Sequence, residues 1–186
     1  MRVRRALVAV LLLAAVELGQ EVTALASTRP SADLGADGIG AVRFGLTKAR
    51  AVDELSARFG TPTWRGVNTG CGPRWTEVEW NDLAAEFRLD KFSGYRYASA
   101  NDLHNDLGSP RKPTKHGVPR LATAGGLSLG STLAQVRSAY PLLRFAGTDR
   151  HKTPDGIVFV DHAEHSPAPL SSRIIEIKTF GTCGDF

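Results

Sequence analysis

Phe44-Gly45-Leu46-Thr47-Lys48-Ala49-Arg50-Ala51-Val52 returns in degenerate form as Leu129-Gly130-Ser131-Thr132-Leu133-Ala134-Gln135-Val136-Arg137, each position displaced by the same 85 residues. A strand end, a Gly turn, a Thr helix cap and an Ala one turn inside the helix recur together, and self-similarity of this kind reads as internal duplication. The expected fold class is therefore α+β: two related halves, each a helix packed on antiparallel strands, forming one curved sheet. The first half is placed at 38–100 and the second at 121–186. Residues 101–120 are polar, with Asn, Asp, Gly, Pro and Lys/Arg, and read as the linker.

Working outward, Thr47 is placed to cap a helix whose Val52, Leu55 and Phe59 fall at three-and-four spacing, with Leu46 stapled onto Ala51 and with Gly60 and Pro62 as the stop. Thr132 is expected to cap a shorter helix bearing Leu133, Val136 and Tyr140, ended by Pro141. Ile39 to Phe44 reads as a strand, Gly126 to Gly130 as strand and turn, and Thr61 to Pro73 as an irregular connector. The clearest hairpin runs from Trp75 to Trp80, turns at Asn81-Asp82 and returns from Leu83 to Leu89. That register sets Trp80 against Leu83, Val78 against Ala85 and Thr76 against Phe87 on the core side. Glu79 against Ala84, Glu77 against Glu86 and Trp75 against Arg88 then form the opposite side, expected to be open to solvent. Strands are also expected at Lys91–Ala98, Ile157–Val160 and Arg173–Phe180.

The amino terminus reads as an export signal over 1–26. Arg2, Arg4 and Arg5 precede an apolar run from Ala6 to Val16, and Ala24-Leu25-Ala26 supplies a small-residue cleavage site. Glu17 and Glu21 argue against a retained anchor, so no membrane span is expected in the mature chain. Residues 27–37 read as a flexible leader, and the expected location is secreted or periplasmic. The net charge of +4 is scattered without a Lys/Arg run, which leaves nucleic-acid binding without support. Cys71 and Cys183 are the two cysteines, and in an oxidising compartment they can form one disulfide. It would close a loop of about 110 residues, worth on the order of 4 to 5 kcal/mol by chain entropy; the alternative is two free thiols.

The Gly-x-Thr-x-Ala repeat, Cys71-Gly72 and Cys183-Gly184 together resemble a family of exported bacterial proteins with the tandem-repeat architecture of the β-lactamase inhibitory protein (BLIP-like) and of small outer-membrane assembly lipoproteins. The resemblance runs from Asp37 to Asp185. It implies helix-plus-strand halves and a curved sheet whose open face binds other proteins. No inhibitor contact residue carries over position by position. The chain departs from the lipoproteins in having no Cys directly after the signal and in carrying two repeats.

For chemistry, Asp161-His162-Ala163-Glu164-His165 has metal-ligand types, but Ser166, Pro167 and Pro169 make the segment a loop, and no metal is expected there. His104, His116 and His151 show no partner spacing. Glu77, Glu79 and Glu86 offer paired carboxylates, yet glycoside hydrolysis wants two carboxyls about 5 to 10 Å apart in a cleft, and an open sheet face lacks that burial. No nucleophile elbow, phosphate loop or zinc-protease motif occurs. The expectation is a non-catalytic binding module without cofactor, contacting an extracellular or envelope protein through Trp75, Glu77, Glu79, Glu86 and Arg88. The alternative is a small-ligand or cell-wall-glycan binder using Trp64, Trp75, Tyr95 and Tyr97.

Overall fold

The structure, a computed structural model, describes residues 32–67, 75–99, 103, 120–146, 149–161 and 168–179. Its largest element is an antiparallel sheet of eight strands. These are β4 (Trp64–Val67), β5 (Trp75–Trp80), β6 (Leu83–Arg88), β7 (Lys91–Ala98), β9 (Arg144–Phe145), β10 (Arg150–Lys152), β11 (Ile157–Asp161) and β12 (Ile174–Thr179). Their order is β4-β5-β6-β7-β12-β11-β10-β9, so β7 and β12 meet at the centre, Ile177 beside Tyr97. A second sheet of four strands joins β1 (Ala32–Gly35), β2 (Gly38–Ile39), β3 (Val42–Arg43) and β8 (Ala122–Thr123), with β1 parallel to β8.

The α+β expectation of helix-on-strand halves in one curved sheet is corrected by this arrangement. The described chain is mostly β, in two sheets, with two short helices among the described residues: α1 (Lys48–Phe59, 12 residues) and α2 (Leu133–Ala139, 7 residues). Caps and helical spacing made the helices conspicuous, whereas strands of two to four residues carry no periodic signal of their own. The expected leader supplies β1, and the expected irregular connector supplies β4. The strand expected from Ile39 to Phe44 is broken at Gly40, where φ is 58°, into β2 and β3. The signal segment, most of the linker and both cysteines lie outside the described residues.

The repeated motif itself sits in matching surroundings. Gly45 N donates to Phe92 O at 2.8 Å and Phe92 N returns to Leu46 O at 2.8 Å; Gly130 N donates to Ile174 O at 2.7 Å and Ile174 N returns to Ser131 O at 2.8 Å. Thr47 bridges Lys91 and Thr132 bridges Arg173. Each motif thus pins the start of one of the two central strands.

One face of the large sheet carries Val78, Trp80, Phe87, Tyr95, Tyr97, Phe159 and Ile177, and these form one buried cluster with Leu55 of α1, Val136 of α2 and Leu34 and Ile39 of the small sheet. Burying each large apolar side chain contributes about 1.5 to 3 kcal/mol, so this face holds the molecule together. Trp80 adds a polar tie, its Nε1 donating to Gly60 O at 3.0 Å where α1 ends. Among the described residues no helix is long and apolar enough to cross a membrane.

Candidate functional site

The hairpin β5–β6 has the register its alternation predicts, from Trp80 against Leu83 at the turn to Trp75 against Arg88 at the open end. Its second face is not open. Glu77 and Glu79 are 0% exposed and Glu86 is 1% exposed, while Trp75 is half-buried and Arg88 alone is exposed. The expectation of a solvated glutamate face is corrected accordingly, and the reason lies in neighbours that local sequence does not name. On β7, Arg96 stands beside Ala84, and on β12, Lys178 stands beside Arg96. Arg96 Nε donates to Glu176 Oε1 at 2.7 Å. Leu103 closes on Ala84 and Ala98 in a small buried cluster.

At the flank, Trp64 is opposite Glu79 and Gly66 is opposite Glu77. The Trp64 ring lies across Gly66 so closely that a Cβ there would come within 2.1 Å of Cζ2. The glycine therefore allows the indole to lie flat beside the glutamates. Burial pushes the Glu77 carboxyl up to about 8, followed by the charges of Glu86 and Glu79 and a hydrogen bond with Glu79, against the opposing pull of Arg96. At neutral pH Glu77 keeps its proton, which relieves the cross-strand repulsion. The objection to acid–base chemistry drawn from an open face does not hold here; what these carboxyls lack is access for a substrate.

An accessible feature lies at the end of the sheet on the helix-bearing side. A cavity of about 570 Å³ is lined by Ala49, Val52 and Asp53 of α1, Arg65 of β4, and Leu89 and Lys91 at the β6–β7 turn. Leu89 and Asp90 form that turn with φ of 53° and 57°, a left-handed pair usually filled by Asn and Gly. Leu89 is nevertheless 60% exposed. Lys48 Nζ donates to Thr76 Oγ1 at 2.9 Å and lies over the Phe87 ring, and Arg88 stacks over Trp75 at 5.7 Å. Of the expected contact residues, Trp75 and Arg88 are thus together at the open end of the hairpin, on the glutamate face of the sheet and on the opposite side from the cavity.

Sequence reading passed over Lys48, Arg65, Leu89 and Lys91. The signal available was a Leu-Asp pair between Arg88 and Lys91, a two-residue gap between two strands. It also passed over a pairing of His151, whose Nε2 lies 3.0 Å from Asp161 Oδ2 across the β10–β11 hairpin, both side chains buried. The 162–165 part of the candidate metal cluster lies outside the described residues, as do Cys71 and Cys183. Tyr95 and Tyr97 are buried in the core. No family model matches the chain, and no curated protein or known structure matches it either.

Proposed function

We infer that the chain is an exported, non-catalytic binding module that contacts an extracellular or envelope protein through the end of its eight-stranded sheet. The observation that carries this reading is the cavity beside Leu89, an apolar side chain held outward by a turn whose backbone conformation is costly for leucine. A strained turn that leaves a large apolar group in water makes better sense as a contact than as a piece of the core. The signal-like sequence at 1–26 supports export to a secreted or periplasmic location. Glycan binding has less support, because two of its four aromatics, Tyr95 and Tyr97, are closed into the core.

The test is affinity capture from culture medium and periplasmic extract with the full chain, beside Leu89→Asp and Trp75→Ala. A protein retained by the wild type and lost with Leu89→Asp supports the reading. Equal retention by the wild type and both variants, or by none of them, overturns it.

A further inference from the structure

The outer edge of β4 borders this groove, and the hydrogen-bond phase of the hairpin fixes which of its amides face outward. The two-residue turn at Asn81-Asp82 makes Trp80 and Leu83 a hydrogen-bonded pair, so alternate residues of β5 turn to β6 and the intervening Glu79 and Glu77 turn to β4. Thr63 N donates to Glu79 O at 2.7 Å, in keeping with that phase. Trp64 and Gly66 therefore bond inward, while Arg65 and Val67 direct their N–H and C=O groups away from the sheet. Among the described residues no strand pairs with that edge. Arg65 and Val67 are both exposed, Val67 by 49%.

The side chains around the edge have a consistent character. Leu89 and Val67 offer exposed apolar surface, and the buried Val52 lines the groove between them and α1 only in part. Arg65, Lys91 and Lys48 offer three cations against Asp53 and Asp90, and Lys48 is held by a hydroxyl rather than a carboxylate. The other sheet edge, β9, is only two residues long and offers no comparable ladder.

We propose that an extended acidic segment of a partner protein adds as a strand to the outer edge of β4, seating apolar side chains against Val67 and carboxylates against Arg65, within the field of the groove cations Lys48 and Lys91. This rests on the binding-module reading and specifies its mode: main-chain hydrogen bonds to Arg65 and Val67 supply affinity, and alternate side chains supply selectivity.

The probe is a fluorescein-labelled synthetic octapeptide of alternating valine and glutamate, titrated against the full chain by anisotropy. Saturable binding is expected, weakened roughly tenfold or more by Arg65→Glu combined with Lys91→Glu. Val67→Pro removes one outward N–H without touching the inner ladder and is expected to weaken binding comparably. The same peptide N-methylated at alternate amides tests the mode on the unaltered protein, so the result does not hang on folding of the proline variant. Loss of binding on methylation supports strand addition. Absence of peptide binding, or undiminished binding of the methylated peptide, overturns it while leaving capture of a partner through Leu89 intact. Equal binding of a lysine-for-glutamate peptide overturns the acidic class. Self-association of the chain that is abolished by Val67→Pro assigns the edge to a second copy and overturns a foreign partner.

Discussion

Tyr95 shows how far a single side chain's worth depends on its surroundings. Its ring is 0% exposed and its hydroxyl has no hydrogen-bond partner among the described residues, and burial drives the phenol well above its ordinary pKa. The ring packs against Phe44, with centroids 6.4 Å apart. Tyr95→Phe keeps that contact and removes a desolvated oxygen, so it is expected to stabilise the fold by about 1 kcal/mol; a lower urea midpoint with unchanged slope would contradict this. Sequence reading assigned Tyr95 to a strand correctly but offered it as a ligand platform. An aromatic in an alternating strand looks the same whether its face meets solvent or a second layer.

Among elements, the two helices show a difference concealed by their shared motif. Thr132 Oγ1 accepts from Gln135 N at 3.3 Å and Gln135 Oε1 accepts from Thr132 N at 2.8 Å, a complete capping box. Thr47 has extended backbone geometry but no side-chain cap bond, and no reciprocal bond is possible either, since the matching third position is Arg50, a donor whose side chain turns to Glu54 at 2.8 Å. Thr132→Ala is expected to cost about 1 kcal/mol and Thr47→Ala clearly less, measured by chemical denaturation of both. The β5–β6 hairpin carries a pH dependence of its own. The folded value of about 8 for Glu77 lies above its ordinary 4.5, so the folded chain holds a proton that the unfolded chain releases. Its contribution is full below about 4.5 and is lost as pH rises through about 8. Thermal melting is expected at a lower temperature at pH 9 than at pH 5, with Glu77→Gln flattening the difference. An equally steep fall in the Gln variant would place the proton elsewhere. The register of this hairpin was legible because alternation and a two-residue turn fix it within fourteen residues, Trp75 to Arg88. Its burial was not, since Trp64, Arg96, Lys178 and Leu103 come from outside that stretch.

For the whole molecule, the strand order places β6, β7 and β12 inside the large sheet and leaves β4 and β9 at its edges. Native-state hydrogen exchange is expected to be slowest in β7 and β12, and fast at Arg65 and Val67, whose amides face outward. Slow exchange at Arg65 and Val67 would mean that the β4 edge is covered. The sequence by itself determined the helix starts at Thr47 and Thr132, the hairpin register and the apolar side that becomes the core. Each of these depends on hydrogen bonds and side-chain periods spanning about ten residues. Only the tertiary structure decided that β1 joins β8 in a separate sheet, that the glutamates are enclosed, and that the groove opens beside Leu89. Those outcomes depend on which distant segments meet, and charged residues in alternation read alike whether water or a shared proton neutralises them.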